Sequence, residues 1–583
     1  MALQDLNIFC YYDRARFAQF SAMDCANWYN VQAPSGKAQQ ALYPTMGRRH
    51  INFLNQNKLI FNAEPRALFK TIDFMYVIVG AQVIQVDNLF NQRVLINNDF
   101  NKTQGDVWFD FISVGTQVYA MLTAQSGSVR KAFIITEDGA NSKMEVVTDV
   151  NAPVNPLFVA TFGNRFAVSA SDSPVYALTK IGVPLPGDVF SPAGQPLFNS
   201  ASGKVRQMGV LFNQLYIFTD FHTDVWANIP TQFEGEVFPW KLNTSYNFDV
   251  GISDPFSLSI DFGVMCFLSR NKNGLVEFVM SDGRQPQSIG SQAVNVVLQE
   301  GSNEDLLSPF IDNFSNGFLY QYENTIFYRV VAGDFLDLGN LDITDSANCL
   351  EYNFTSKQWH RCIELNGERN RIQQHVFFNS KHIVSVVDDF TLYQMAGNIY
   401  YNEVRNQAQS EPNAPDAYSK FPMRYELVTK AFYQKGYTEF ITDYIEIDFV
   451  FGNETFYKSC APYDNAVYMV DETSTPENPL YLVTEDDKFI VTEDSNTPSF
   501  SDNHYCDLFK PHVELYFSDD GGVSFHSADL REFSPLGVYR YRMRWYELGA
   551  SRNRVYKLVC VSSAPIVILG AIQNIRKSSG GAN

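Results

Sequence analysis

Two residues in the most acidic part of the chain have the side chains and the spacing of a metal-binding pair. His504 and Cys506 stand two positions apart in the string HYC. A structural zinc site needs four ligands, most often cysteine and histidine. The chain has eight histidines and eight cysteines, but no other member of these sets adds a zinc-type spacing around the pair. We therefore expect no metal site and no cofactor.

The strings that mark common catalytic sites are missing. The sequence has no H-E-x-x-H, no G-x-S-x-G and no Walker loop. Adjacent carboxylates such as Asp388-Asp389 and Asp519-Asp520 serve glycoside hydrolysis only at a defined separation in space, which a sequence does not give. We predict a protein that is not an enzyme. The alternative is a glycan-cleaving or glycan-binding protein of the depolymerase or sialidase type.

One hairpin sequence bears directly on that alternative. The stretch YFSDDGGVSF fits the pattern Ser/Thr-x-Asp-x-Gly-x-Ser/Thr-aromatic, and it resembles the Asp-box hairpin of sialidase-type β-propellers; its residues are Ser518, Asp520, Gly522, Ser524 and Phe525. In such a turn the aspartate binds backbone amides and the glycines allow positive φ. The motif therefore predicts a structural hairpin. A sialidase would also need further boxes, three substrate-binding arginines and a Tyr-Glu pair, which we do not find in order.

A basic strand follows this hairpin. In YRYRMRWYELGASRNRVYKL the residues Arg540, Arg542 and Arg544 alternate with aromatic residues and methionine, so a strand would carry the cations on one face. The opposite string FITDYIEIDFV offers Glu446 and Asp448 on one face, which favours cross-strand ion pairs or a subunit contact over contact with phosphates. We take these three arginines, with Arg552 and Arg554, as candidate interaction residues.

The region from 453 to 509 has the opposite charge. It holds twelve acidic residues and two lysines, so its net charge is −10, which is half of the net charge of −20 of the whole chain. We interpret it as an inserted exposed lobe, with a plain solvated loop as the alternative. Cys460 and Cys506 lie within it, and whether they pair stays open. The remaining cysteines are expected to be free thiols.

Composition and charge narrow the classes of protein. Hydrophobic residues make up 45% of the 583 residues and aromatic residues 15%, which favours a large β-rich core. The net charge disfavours a protein that grips DNA through a basic face, although DNA could pass an acidic wall without sticking. The N-terminus lacks a signal-peptide pattern and the longest apolar run, PIVILGAI, is too short for a bilayer. We expect no membrane insertion and synthesis in a cytoplasm.

Short β-type runs separated by turn residues recur along the chain, as in FMYVIV-Gly80-Ala81-VIQV. Their starts fall roughly 45 to 60 residues apart, which suits four-stranded propeller blades. The predicted fold is all-β and β-propeller-like, with six blades and an inserted acidic lobe near the C-terminus; tandem β-sandwich domains are the alternative. A helix is expected after Ser291.

The predicted organisation follows from these patterns. It has an N-terminal arm with leading strands at 1–65, propeller blades at 66–400, a final β region at 401–452 and 510–577 with C-terminal hairpins, the acidic lobe at 453–509, and a flexible tail at 578–583.

Several stretches in order along the chain resemble one family, the tail hub or nozzle proteins of short-tailed bacteriophages, also called packaged DNA stabilization proteins. The stretches are CANWYNVQAPSGKAQQALYPTMGRR, GVLFNQLYIFTDFHTDVWANI, the region from Gly251 to the helix after Ser291, NCLEYNFTSKQWHRC, and SDDGGVSF with RWYELGASRNRVYKLVCV. Val-Thr-Glu-Asp at 483 and 491 also resembles tandem strings of phage tail proteins. The chain departs from the family at Met46, often a proline, at Arg48, often apolar, and in the acidic lobe.

The resemblance implies a β-propeller subunit of a homo-hexameric ring in the virion tail, assembled in the host bacterial cytoplasm. Its implied partners are the portal and adaptor ring, tail fibres or spikes, a needle or plug protein, and double-stranded DNA in passage without sequence-specific binding. The implied function is mechanical: the ring continues the DNA channel, helps to retain the packaged genome and docks the fibres.

Overall fold

The computed structural model describes residues 2–577 apart from 16–17, 19, 33–39, 52–60, 191–202, 229–239, 301–313, 333–348, 388, 406–417, 453–510 and 534–539. Within this described part the protein is almost entirely β-structure, which confirms the all-β prediction. The α-helix in it, α1 (Gln292–Glu300), begins where it was predicted, and the Ser291 hydroxyl accepts from the Val294 amide at 3.2 Å. No helix in the described part is long and apolar enough to span a bilayer.

The strands alternate with tight turns along the whole chain. The first six are β1 (Ala2–Leu6), β2 (Asp13–Arg14), β3 (Ala22–Ala26), β4 (Trp28–Gln32), β5 (Gln40–Pro44) and β6 (Gly47–His50). The next eleven are β7 (Pro65–Lys70), β8 (Met75–Val79), β9 (Gln82–Val86), β10 (Gln92–Leu95), β11 (Val107–Val114), β12 (Gln117–Ser126), β13 (Val129–Thr136), β14 (Lys143–Val146), β15 (Pro156–Phe162), β16 (Arg165–Ala170) and β17 (Tyr176–Leu178).

The middle of the chain continues in the same way. Its strands are β18 (Gln207–Leu211), β19 (Gln214–Phe218), β20 (Thr223–Asn228), β21 (Trp240–Leu242), β22 (Val250–Ile252), β23 (Ser259–Asp261), β24 (Val264–Asn271), β25 (Val276–Ser281), β26 (Gln287–Ser288), β27 (Phe314–Tyr322), β28 (Thr325–Ala332), β29 (Cys349–Asn353), β30 (Gln358–Arg361), β31 (Ile372–Phe378), β32 (Lys381–Val386) and β33 (Leu392–Ala396). The last nine are β34 (Tyr401–Arg405), β35 (Tyr418–Val428), β36 (Phe440–Phe451), β37 (His512–Ser518), β38 (His526–Glu532), β39 (Arg540–Tyr546), β40 (Ala550–Ser551), β41 (Val555–Ser562) and β42 (Ile566–Lys577).

Strands β7 to β33 form consecutive antiparallel meanders, which we call sheets one to seven. Sheet one is β7–β10, sheet two β11–β14, sheet three β15–β17, sheet four β18–β21 and sheet five β22–β26; the meanders β27–β30 and β31–β33, which we call sheets six and seven, are joined through β3, β35, β34 and β6 into one larger sheet. The predicted hairpin around Gly80 is the turn between β8 and β9, and Gly80 has a φ of 50°. Antiparallel meanders of this size are typical of propeller blades.

Each sheet packs against the next, and the seventh packs against the first. Aromatic pairs mark five of these contacts, with ring centroids 4.9 to 6.0 Å apart: Phe69–Phe109, Trp108–Phe158, Phe218–Phe267, Phe278–Trp359 and Phe90–Phe378. Sheets three and four share an apolar core, and Phe318 of sheet six stacks on His375 of sheet seven. The seven sheets thus follow one another in a closed, β-propeller-like circuit.

The described part has seven such sheets where six blades were expected, and the seventh is completed by a distant strand. Strand β6, near the N-terminus, pairs antiparallel with β33 as the fourth strand of sheet seven. A sequence period counts only contiguous units, so it does not reveal a sheet whose strands lie more than 300 residues apart.

The two ends of the chain together build a β-sandwich, which we call the terminal sandwich. One of its sheets has the order β39-β36-β42-β5-β4, with β1 beside β42, and the other contains β3, β35, β41, β37 and β38. Their inner faces share one core, in which Trp28 stacks on Tyr425 and donates its indole N–H to the Ile566 carbonyl at 2.9 Å. Strands β1, β3, β4 and β5 are therefore packed into this sandwich, and β6 into sheet seven.

Buried ion pairs join the terminal sandwich to sheet six, and sheet six to sheet seven. The Arg361 guanidinium donates to both carboxylate oxygens of Asp24, at 2.9 and 2.5 Å. Arg48, an apolar position in the family that the sequence resembles, is fully buried and pairs with Glu364 at 2.6 Å. Because an unpaired buried charge is costly, these pairs specify how these parts meet.

The ring-closing strand gives a test of this architecture. A Cβ added at Gly47 would lie 2.4 Å from the Tyr401 carbonyl oxygen and 2.9 Å from that of Ile399, so Gly47→Ala must push two strands apart. We expect a loss of about 1–3 kcal/mol in the free energy of unfolding, measured by chemical denaturation. Gly570→Ala is the matched control, because the space around Gly570 is open. Equal stability of the two variants would contradict the tight closure.

Candidate functional site

The three candidate arginines lie on strand β39, as an outward-facing row along one edge of the terminal sandwich. Arg540 pairs with Asp448 through its Nε at 2.9 Å, and Arg544 pairs with Glu446. Arg542 lies between them, 3.7 Å from Glu446 and 3.9 Å from Asp448. The predicted cross-strand ion pairs with β36 are therefore present. We call these five residues the arginine ladder.

The alternation along β39 explains why the ladder faces solvent. Met543 and Trp545 point into the sandwich core, whereas the side chains of Arg540, Arg542 and Arg544 are 54%, 62% and 48% exposed. Three guanidinium groups share two carboxylates, so the row keeps one positive charge beyond its internal pairs. Half-exposed arginines of this kind contribute little to stability and stay available to a partner.

An open groove runs beside the ladder, between the edges of the two sandwich sheets. Its lining residues are Arg531 and Glu532 of β38 and Tyr541, Arg542, Met543, Arg544 and Tyr546 of β39. Both strands are edge strands in the described part of their sheets, and β38 is exposed along almost its whole length. Edge strands present unpaired backbone groups that a further chain segment can bind. We call this feature the edge groove.

The two remaining candidate arginines, Arg552 and Arg554, lie outside the arginine ladder. Arg552 is exposed in the turn before β41, outside the ladder. Arg554 is fully buried: its Nη1 donates to the Leu548 carbonyl at 2.8 Å, its Nε lies 2.7 Å from Asp519, and it covers the Phe517 ring. Unlike the ladder arginines, Arg554 therefore offers no exposed guanidinium to a partner in this structure.

The Asp-box residues form a self-contained turn between β37 and β38. Asp520 Oδ1 accepts from the amides of Val523 and Ser524, both at 3.0 Å, and Asp520 Oδ2 accepts from the Ser524 hydroxyl at 2.6 Å. The Ser518 hydroxyl donates to Oδ1 at 2.6 Å. Gly522 has a φ of 97°, which explains the glycine. The turn thus has the bonds expected of a structural Asp-box.

The same bonds determine the charge state of Asp520. Hydrogen bonds from Ser518 and Ser524 hold the pKa of its carboxyl well below the usual range. The carboxylate therefore stays ionised, with both oxygens occupied by the turn. A general acid needs a raised pKa and a carboxyl free to reach substrate, and Asp520 has neither.

Some sequence-predicted features lie outside the described residues. These are the acidic region, the possible pair of Cys460 and Cys506, and the metal-type pair of His504 and Cys506. The six cysteines in the described part are free and buried.

One group of functional side chains was missed in the sequence. Glu351, His360 and Cys362 are buried together in sheet six, with their possible ligand atoms within 4.8 Å of one another. The signal was present as C-x-E on one strand and H-x-C after the next turn, in NCLEYNFTSKQWHRC. Spacing by two puts residues on one face of a strand, and a hairpin then brings the two pairs together.

Comparisons with known proteins give no relative from which to assign a function. No family model matches the sequence, and no curated protein matches it. A solved structure described as the complex of KlAtg21 with the coiled-coil of AgAtg16 aligns with 46% of this chain and 81% of its own chain, at 10% identity and a TM-score of 0.25. A similarity this low supports no argument about fold or function.

The Asp520 turn gives a pH-dependent prediction. The Asp520→Asn variant keeps an acceptor at the turn but loses the charge, so we expect it to be less stable than the wild type by about 1 kcal/mol at neutral pH. Because the folded pKa is depressed, the wild-type advantage should be present above the unfolded value of about 3.9 and shrink as pH falls below it. Denaturation curves from pH 7 to pH 2 measure the difference. A gap that stays constant with pH would show that the carboxylate charge is not involved.

Proposed function

We propose that this chain is a structural subunit of a short phage tail, a hub or nozzle ring below the portal and adaptor. In this role the ring continues the DNA channel, helps to retain the packaged genome, passes it during ejection and docks fibres or spikes. The proposal rests on the ordered family resemblance of the sequence. The structural observation that supports it is the edge groove, an exposed edge lined by arginines on a β-propeller-like protein.

The edge groove favours a peptide partner over a nucleic acid. Its arginines are already paired with Glu446 and Asp448, whose carboxylates would repel phosphate groups. An extended acidic segment could instead bind the backbone edge of β39. Its carboxylates would then neutralise the one positive charge that the three arginines keep beyond their internal pairs. Charge pairing of this type sets which partner binds and in which register.

The acidic region of a neighbouring subunit is the partner that we propose for the edge groove. It carries a net charge of −10 and it follows β36, the strand that also holds Glu446 and Asp448. Because β36 ends at Phe451, beside the start of β39, the same contact repeated around a circle would link each subunit to the next. We propose a hexamer on the family resemblance.

Passage of DNA through such a ring fits the charge of the chain. Non-specific affinity for DNA comes mainly from contacts of lysine and arginine with phosphates. A chain with 64 acidic and 44 basic residues supplies few surplus cations, so DNA would slide past without being held. The glycan-cleaving alternative gains no support from the Asp-box, because Asp520 is occupied by its own turn.

Charge reversal of the ladder tests the assembly contact. We expect the triple variant Arg540→Glu, Arg542→Glu and Arg544→Glu to stay monomeric where the wild type forms rings, since it would place like charges opposite Glu446, Asp448 and the acidic partner. Mass photometry and sedimentation velocity at low salt measure this, and circular dichroism checks the fold.

Two further variants separate the possible causes. The neutral triple substitution to glutamine removes the attraction without adding repulsion and should weaken the rings, and 0.5 M salt should do the same to the wild type. Reversal of Lys180, Lys204 and Arg206, which form exposed ion pairs on sheets three and four, is the control of equal charge change. Normal rings from the ladder variants, or equal loss in the control, would contradict the proposal.

The function itself is tested in particles that lack this protein. If it seals the portal, filled heads assembled without it should lose their genome, and the DNA should become sensitive to nuclease. Wild-type particles and particles complemented with the protein serve as controls. Retained, nuclease-resistant DNA together with failed adsorption would overturn the hub proposal, and hydrolysis of host glycans by the purified protein would support the alternative.

A further inference from the structure

Four side chains of the metal-ligand type form a compact block on one face of sheet six. Cys349 and Glu351 are two residues apart on β29, and His360 and Cys362 are two residues apart at β30. Glu351 lies directly opposite His360 in the antiparallel pairing of β29 with β30. The Cys362 amide donates to the Cys349 carbonyl at 2.9 Å. The hairpin therefore places two thiols side by side and, next to them, an imidazole beside a carboxylate.

The distances within this block suit one ion. The ligand atoms of Glu351, His360 and Cys362 lie within 4.8 Å of one another, and all three residues are buried. Cys349 is not in that group of three; it lies directly across the hairpin from Cys362, where the two backbones are hydrogen-bonded. In a tetrahedral zinc site the bond lengths of about 2.0–2.3 Å place donor atoms roughly 3.3–3.8 Å apart, so small rotamer changes would complete the site.

The surroundings hold the carboxylate in place and balance the charge. Glu351 Oε2 accepts from Arg329 Nε at 2.6 Å and from the Tyr320 hydroxyl at 2.7 Å, which leaves Oε1 facing His360 Nε2 at 2.9 Å. Arg329 is itself buried. A divalent ion together with Arg329 would neutralise two thiolates and the Glu351 carboxylate, with the histidine uncharged. Charge neutrality of this kind is what a buried ionic cluster requires.

From this geometry we infer that Cys349, Glu351, His360 and Cys362 bind one zinc-class ion, with Glu351 Oε1 as the oxygen ligand. Thiolates with imidazole select zinc over the hard cations magnesium and calcium. Four protein ligands in a buried position leave no open coordination site, so the ion would be structural.

The location gives the ion a consequence for the fold. Arg361 lies between His360 and Cys362 in the chain, and its side chain points to the opposite face of the strand, where it binds Asp24 of the terminal sandwich. An ion that holds β29 against β30 would also hold in place β30, the strand that carries the ion pair of Arg361 with Asp24. Metal removal should therefore loosen sheet six and its contact with β3.

Metal analysis of the full chain, purified without chelator or affinity metal, tests the proposal. We expect about one zinc per chain by elemental mass spectrometry, and a thiolate-to-cobalt charge-transfer band after exchange with Co²⁺. Cys362→Ser and Cys349→Ser should lose most of the zinc and of the cobalt band. Cys266→Ser is the control, because Cys266 is a buried free thiol of sheet five outside the block.

Several outcomes would overturn the inference. Wild-type protein that folds without zinc, shows no cobalt band and is not stabilised by added zinc has no such site, whatever the folding of the variants. A native disulfide between Cys349 and Cys362, found by thiol labelling and mass spectrometry, would exclude two thiolate ligands. Equal zinc loss in Cys266→Ser would show that general unfolding, and not ligand removal, releases the ion. The inference does not depend on the proposed tail function, since none of these measurements involves assembly.

Discussion

The architecture depends on one constraint, the closure of the seven-sheet circuit by a strand from the other end of the chain. Strand β6 supplies the fourth strand of sheet seven, and its glycine, Gly47, lets a neighbouring carbonyl approach closely. Without β6 the edge of β33 would be open, and open edges invite pairing with other chains. Closure by β6 commits the preceding residues to lie beside the last sheet, where they meet the C-terminal strands. The terminal sandwich is thus a consequence of how the circuit closes.

Buried charges lie where these parts join. Arg361 with Asp24 spans the boundary between sheet six and the sandwich, Arg48 with Glu364 joins sheet seven to sheet six, and each pair is largely removed from water. Such pairs add little net stability over apolar packing, but the loss of one partner costs about 3–5 kcal/mol. Their main effect is therefore to disfavour alternative arrangements of these parts, and their contribution to the stability of the native arrangement is smaller. The proposed zinc block lies on the other face of the strand that carries Arg361, so one hairpin serves both features.

The exposed side of the terminal sandwich has a different character. There, the ladder arginines are half exposed and their pairs are weak in water, so this face is held by backbone pairing and by the core beneath Met543 and Trp545. A closed circuit of sheets with one exposed, charged edge is compatible with the ring subunit that we propose. The Asp-box hairpin fixes the turn between β37 and β38. Strand β38 begins after this turn and lines the edge groove with its last residues.

The sequence by itself determined the features that neighbouring residues control. Period-two alternation defined the strands and the exposed arginines of β39, the turn residues located the hairpins at Gly80 and Gly522, and Ser291 marked the start of the helix. The tertiary structure decided the features that depend on distant partners. The last sheet is completed by a strand from residues 47–50, Arg554 is buried and pairs with Asp519, and the Cys-Glu-His-Cys block follows from a hairpin register. Backbone geometry lets a local pattern determine which face of a strand a residue lies on. Which distant residue it contacts depends on the free energy of long-range packing, and a short stretch of sequence carries no information about that.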